Sequence, residues 1–348
     1  MQSHYADGAY HPERIPDQPN PSKRGWLERF GSSRLPWGHA QDIVPPGLLE
    51  STTPAGLRAI EAYDEELASG KRKPQAYERL DYHQIIDHER YRHASLAKRS
   101  LFWLYLWGGG RFVFWAVLVL SSFTFSIEAA MSESDFFIRL AEIIWETAPW
   151  FLAPPIACWA IGSFVVHKLP NWFIRPSKGP LWELNRRTGM VTLFDYDNMG
   201  EYQRSGTIGE FVHPFHEFDA YISSGPDRQG LIWHQLYLAH RYHDLTINLS
   251  PIVMRDTNLQ PLYAGWDFVQ NYMDTSRPLP DIPLFEQYRD QDPVTAEHDR
   301  ETQRPPRYWR DMDDATWEAK LDEMRAKVAN IDTERRDNLM SRHVRYAD

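Results

Sequence analysis

Phe112-Val113-Phe114-Trp115-Ala116-Val117-Leu118-Val119-Leu120 is the apolar centre of a run from Leu101 to Ile127 whose only formally charged residue is Arg111. A helix of about 20 apolar residues, rising about 1.5 Å per residue, crosses the roughly 30 Å of bilayer hydrocarbon. The run exceeds that length, and buried helices of soluble domains seldom extend so far without a polar stripe. Residues 101–127 are therefore expected to form a first transmembrane helix.

Working outward, residues 147–167 are the second candidate span. Pro149, Pro154 and Pro155 fall in its first half, whereas Ile156 to Val166 is uninterrupted. Proline removes a backbone donor and kinks a helix, but neighbouring helices re-satisfy the freed carbonyls inside a membrane. The expectation is a span bent near Pro154-Pro155 and packed against the first. Small residues permit close approach of two helices, and Gly108, Gly109 and Gly110 face that role on one span, Gly162 and Ser163 on the other.

Flanking charge orients the pair. Arg90, Arg92, Lys98 and Arg99 precede the first span, and Lys168, Arg175 and Lys178 follow the second. Between them, residues 128–146 carry Glu128, Glu133, Asp135, Glu142 and Glu146 against Arg139. Lys and Arg are retained on the cytoplasmic side, so a multi-pass protein of the bacterial inner membrane is expected, with both termini cytoplasmic and a short acidic periplasmic loop over 128–146. Trp103, Trp107, Trp145, Trp150 and Trp172 sit where interfacial belts form. With the span placed over residues 106–127, Arg111 is expected to snorkel to the inner headgroups.

Composition excludes several classes. The net charge of −10 argues against nucleic acid as a partner, because phosphate binding needs a basic surface. Cys158 is the single cysteine, which excludes an internal disulfide and a Cys-based zinc site. The N-terminus lacks a basic segment leading into an apolar run, so no cleavable signal peptide is expected.

Outside the membrane, residues 1–52 are Pro-rich and expected to be irregular, with short docked pieces. Residues 53–100 are expected to be helical. Thr53-Pro54 opens one helix, Leu57, Ile60, Tyr63 and Leu67 follow at helical spacing to Gly70, and a second runs from Pro74 through Leu80, Ile85 and Ile86. Residues 176–276 read as strands. Leu181–Leu184 and Met190–Phe194 flank a turn at residues 185–189, further strands cover 207–212, 218–223, 231–239 and 244–249, and a helix spans 261–274. The fold class is thus an α+β membrane protein: a two-helix hairpin plus a cytoplasmic antiparallel β-roll of six strands, pleckstrin-homology-like in order, closed by a C-terminal helix. Residues 277–348 form a charged tail with one amphipathic helix, capped by Asp313 or Asp314 and carrying Trp317, Leu321, Met324 and Val328, which docks on its own domain.

Motifs for chemistry are lacking: no G-x-S-x-G, P-loop, G-x-G-x-x-G or H-E-x-x-H occurs. His213 and His216 point to opposite faces of a strand, and His234, His240 and His243 lie among apolar neighbours, so core histidines rather than a metal site are expected. Asp195, Asp197, Glu201, Glu217 and Asp219 read as solvated loops. No cofactor and no catalytic residue is expected. Arg175, Lys178, Arg186 and Arg187 are the candidate contacts to anionic lipid or a partner.

Two segments carry a resemblance. Trp182-Glu183-Leu184-Asn185-Arg186-Arg187-Thr188-Gly189-Met190-Val191 resembles the F-N-R-K-T-x-x-V-Y segment that follows a two-span hairpin in an uncharacterised bacterial family. Trp266-Asp267-Phe268-Val269-Gln270-Asn271-Tyr272-Met273 is similar to that family's W-E-F-I-R-x-Y-M helix. The order of hairpin, strand turn, strands and aromatic helix is also similar, over roughly residues 100 to 275, and His213-Pro214-Phe215-His216-Glu217-Phe218 stands where the family has a tryptophan-containing strand entry. Its genes lie near type VI secretion and Rhs-type polymorphic-toxin genes. The resemblance implies a non-enzymatic inner-membrane protein, either an immunity protein or a membrane-tethered effector accessory factor. Its partner would be a bacterial toxin, effector or secretion component. A lipid- or ligand-sensing module is the alternative.

Overall fold

The computed structural model describes residues 4–22, 25–29, 31–74, 76–132, 134–196 and 209–346. It is an α+β chain with two long apolar helices and antiparallel sheets, and it divides into two compact units. The second unit, residues 73–83 and 94–179, is inserted into the first. The expected strands at 207–208 and the carboxylates Asp197 and Glu201 lie outside the described residues.

In chain order the first unit contains β1 (Ser33–Arg34), α1 (Trp26–Arg29) just ahead of it, α2 (Pro46–Leu49), α3 (Pro54–Ala68), β2 (Ile85–Ile86) and β3 (Arg90–His93). The insertion holds α4 (Lys98–Met131), α5 (Phe136–Lys168) and α6 (Pro170–Phe173). The first unit resumes with β4 (Trp182–Asn185), β5 (Met190–Asp195), β6 (Gly209–Pro214), β7 (Phe218–Pro226), β8 (Ile232–His240) and β9 (Thr246–Asn248). It ends with α7 (Gln260–Met273), α8 (Pro293–Glu301) and α9 (Asp314–Ala329).

Among the described residues the strands form a four-stranded sheet, β1-β7-β8-β9, and a five-stranded sheet, β2-β3-β4-β5-β6. The six strands expected after the hairpin are thus divided between two sheets, and strands from residues ahead of the hairpin extend both. β3 pairs with β4, Arg90 opposite Asn185 and His93 opposite Trp182, and Tyr91 stacks on Trp182 at 5.9 Å. Residues 94–179 therefore occupy the place of a β-hairpin turn. The helix expected from Pro74 through Ile86 gives way to β2 and β3, because Asp87 Oδ1 accepts from the N–H groups of Glu89 and Arg90 and turns the chain there.

The N-terminal region and the tail are both part of the core. Tyr10, Ile15, Leu35, Trp37, Leu48 and Leu49 are buried with Trp182, Phe215 and Trp266 in one cluster, which Trp309, Trp317, Leu321 and Met340 join from the tail. Residues 4–52 are irregular, as expected, because of their prolines, yet their apolar residues pack as tightly as those of the strands. α3 begins on a Thr53 cap, whose Oγ1 accepts from Gly56 N–H at 3.0 Å, and α9 on Asp313, whose carboxylate accepts from Thr316 N–H at 2.9 Å.

In the inserted unit α4 and α5 are an antiparallel pair, of 34 and 33 residues, each about 50 Å long at 1.5 Å per residue. α5 continues unbroken through Pro149, Pro154 and Pro155. The stretch 128–146 is mostly helix rather than loop. Asp135 caps α5 by accepting from Phe137 N–H, and Arg139 bridges Glu128 on α4 to Glu142, so charges of this acidic stretch tie the two helix ends together. At the other end Ser100 Oγ donates to Phe173 O at 2.8 Å and Leu96 bridges Pro176.

Close approach of the two helices rests on two glycines. A Cβ on Gly110 would lie 2.7 Å from Trp159 N, and one on Gly162 would lie 2.6 Å from Trp107 N. Gly108 and Gly109 meet nothing within 4 Å, and Ser163 is half-buried, so these three expected contacts do not set the spacing. We expect Gly162→Leu to force the helices apart and lower the melting temperature of the detergent-solubilised protein. Gly109→Leu should leave it unchanged within about 1 °C, since a surface change costs little.

Candidate functional site

The two motif segments meet at Arg186, in the β4–β5 turn. Arg186 is fully buried. Its Nη1 donates to Tyr272 O and Asp274 O at 2.7 Å each, and its Nη2 donates to Arg277 O at 2.6 Å. Nε faces Asp292 Oδ1 at 3.3 Å. The last carbonyls of a helix have no partner within the helix, and a cation at that end also meets the helix dipole favourably. Arg186 thus caps α7 from another element. Burial pushes Asp292 upward, but Arg186 and hydrogen bonds from Thr295 and Tyr5 outweigh it and hold the carboxyl below its usual range.

The local turn is built to aim this side chain. Asn185 Oδ1 accepts from Thr188 N–H at 3.0 Å, and Gly189 takes φ +71°, which a side chain would strain. A Cβ on Gly189 would also strike Gly8 O. Arg186 is therefore not a lipid contact. Arg187 points outward and pairs with Glu89 at 3.2 Å, and Arg175 and Lys178 are exposed in the inserted unit.

α7 itself is buried from Leu262 to Met273 on every side. Its polar residues bind the N-terminal segment: Asp267 accepts from Gln41 N–H and Ile43 N–H, Gln270 Oε1 from Gly38 N–H, and Trp266 Nε1 donates to Pro36 O. Asp219, expected in a solvated loop, is buried as well. It accepts from Trp37 Nε1, from Tyr346 and from both Nε and Nη2 of Arg241.

Among the described residues, two histidine groups are places where an ion has to be considered. His213, His240 and His243 bring ring nitrogens within 4.8 Å of one another. His240 has neither nitrogen to spare. Nδ1 accepts from the N–H groups of Tyr242 and His243 at 3.0 Å each, which places the proton on Nε2, 3.0 Å from Glu217 Oε2. The cluster is fitted to a neutral, hydrogen-bonded imidazole rather than to a cation. Burial pushes His240 down to about 3, with His213, His243 and Arg241 adding to the effect. His216 and His234 lie apart: burial lowers the first, and the second bonds Ser224 at 2.7 Å.

The other group is His4, His88 and Glu89. Both imidazoles stand about 4 Å from Glu89 Oε1, and Arg187 Nη1 already holds that oxygen at 3.2 Å. A dication there would sit beside a guanidinium. A cleft of about 700 Å³ is lined by residues 5–11 and 14–16 with His216, Thr275 and Ser276. Of its hydroxyls, Thr275 Oγ1 donates to Tyr10 O at 2.9 Å and Ser276 Oγ to Asp274 Oδ1 at 2.6 Å.

No family model, curated protein or solved structure matches this chain. Fold and site define it as an α+β domain, centred on an arginine-capped helix, whose sheet is interrupted by a two-helix apolar hairpin.

Arg186→Leu would leave Asp292 buried without its counter-charge and remove the guanidinium donors to the carbonyls of Tyr272, Asp274 and Arg277. We expect it to cost about 3–5 kcal/mol in urea unfolding followed by tryptophan fluorescence. Arg187→Ala, an exposed pair, should cost less than about 1 kcal/mol. For His240 the folded value lies below the unfolded one. Stability is thus complete above about pH 6.5 and falls as the pH drops from there towards 3, by no more than about 1.4 kcal/mol per unit for this group. His240→Gln should flatten that part of the stability–pH curve.

Proposed function

We propose that the chain is a non-enzymatic protein of the bacterial inner membrane, held by the α4–α5 hairpin with both termini in the cytoplasm. The observation that carries this reading is outward-facing apolar surface. The most apolar windows of α4 and α5 are only 6% and 17% buried, and Phe112, Phe123, Trp145 and Trp150 are 67–84% exposed. Soluble proteins rarely leave contiguous apolar patches of that size in water. Basic residues before α4 and after α5, against the acids at the turn, support the orientation.

The activity we propose is binding. The domain would hold a toxin, effector or secretion component at the inner face of the membrane, as an immunity protein or as an effector accessory factor. The resemblance in residues 182–191 and 266–273 supports this assignment, and the meeting of those segments at Arg186 ties both to one buried structural unit. A pleckstrin-homology-like, lipid-sensing domain is the weaker reading, because burial of Arg186 removes one of the four cations it would use.

The protein is expected to stay in the pellet on alkaline carbonate extraction. In a Cys158→Ser background, Ser132→Cys should react with membrane-impermeant maleimide in intact spheroplasts. Co-expression with the toxin encoded beside it should restore growth or give a stable complex. Release by carbonate would end the membrane reading, and failure of both rescue and complex formation would end the toxin reading alone.

A further inference from the structure

The packing of α4 on α5 fixes the depth of Arg111. Gly110 seats on Cys158 and Trp159, and Gly162 seats on Leu106 and Trp107. In an antiparallel pair these contacts place Arg111 level with Ala157 and Cys158. The uncharged stretch of α5, from Thr147 to Val166, then lies beside residues of about 102 to 121 on α4. That shared band is about 20 residues, or about 30 Å, the thickness of the hydrocarbon. Arg111 sits within about 2 Å of its middle. Either edge is more than about 12 Å away, farther than a stem of three methylenes carries a guanidinium. The snorkelling expected from the sequence does not fit this register.

Arg111 is exposed, and it has no ion pair among the described residues. No acid on the hairpin is at its level. Glu146 is the nearest by register, about 17 Å along the axis, and Glu128 and Glu142 are taken by Arg139. A second copy inserted in the same orientation offers another arginine at the same depth and a carboxylate no nearer. Like charges in hydrocarbon repel strongly, so self-association does not satisfy the group.

The surrounding face is open. At 100° per residue, Gly108, Arg111, Phe112, Trp115 and Val119 share one side of α4, opposite the side where Leu106 and Gly110 meet α5. Phe112 is 74%, Trp115 51% and Val119 66% exposed. Gly108 meets no atom within 4 Å, which leaves a notch for close approach by another helix.

We infer that this face docks a transmembrane helix of a different protein, one that carries a carboxylate at mid-membrane opposite Arg111. The inference rests on the membrane reading proposed above and deepens it by naming the chemistry of the partner. In hydrocarbon an aspartate or glutamate on such a helix neutralises the guanidinium, and the glycine notch brings the two backbones close enough for a hydrogen-bonded pair.

The test uses the full chain, labelled and reconstituted into phosphatidylcholine vesicles containing phosphatidylglycerol. Its probes are synthetic polyleucine helices with a single central Asp, Leu or Lys. Flotation with the vesicles is scored first, and energy transfer to each peptide second. Expected are association with the Asp helix about tenfold stronger than with the Leu helix, loss of that preference in Arg111→Leu, and preference for the Lys helix in Arg111→Glu. A chain that does not float overturns the membrane reading and this inference with it. A chain that floats but treats Asp and Leu helices alike, or keeps the Asp preference in Arg111→Leu, overturns this inference alone. So does Arg111-dependent energy transfer between two copies of the chain.

Discussion

A helix whose end is buried presents carbonyls that water cannot reach, and each must find a donor inside the protein or destabilise the fold. α7 is in that position along its whole length, with every residue from Leu262 to Met273 buried. Arg186 meets the need at its C-terminus with several donors on one rigid fork, and it accepts a second restraint by facing the buried Asp292. The rest of the first unit follows from that contact. β4 and β5 must carry the turn that aims Arg186. The N-terminal segment must cross α7, because Asp267 and Gln270 need its N–H groups, and the tail must close over Trp37 and Asp219.

This arrangement accounts for where the hairpin enters the chain. β3 and β4 are neighbours in the sheet, so the ends of residues 94–179 start from adjacent positions, His93 and Trp182. An insertion between antiparallel neighbours leaves the sheet's register intact whatever its length, since strand pairing supplies the closure that a tight turn would otherwise give. Two antiparallel helices bring the inserted chain back towards the strand position it left.

Charge is used differently in the two units. In the first, the charged groups with the most buried settings are internal: Arg186 with Asp292, Arg241 with Asp219, and Asp267 with backbone N–H groups. Within the histidine cluster, both ring nitrogens of His240 are taken by hydrogen bonds, and burial lowers its affinity for a second proton. In the hairpin the position is reversed. Arg139 is matched by Glu128 and Glu142 at the turn, whereas Arg111 faces outward at the centre of an uncharged band. Arg111 is thus an exposed cation on α4 with no ion pair among the described residues.

The sequence by itself determined the two apolar helices, the β4–β5 turn, strands overlapping β6 to β9, a helix within a residue of α7 at either end, the Thr53 cap and a cap for α9 at Asp313 or Asp314. Each of these is written in local periodicity or in a turn residue, and local sterics enforce it. Only the tertiary structure decided that β2 and β3 precede the hairpin as strands, because two- and four-residue strands carry too little periodicity to outweigh a helix pattern. The same holds for residues 4–52 and the tail, whose prolines and charges read as surface while Trp37, Trp309 and Met340 anchor them in the core. Arg186 and Arg187 are adjacent and chemically alike, and nothing local says that one caps a helix some 85 residues away while the other meets solvent. The apolar run around Phe112 marked a long apolar helix, but the level of Arg111 against α5 depended on which glycines touch the opposite helix, and that is a property of packing alone.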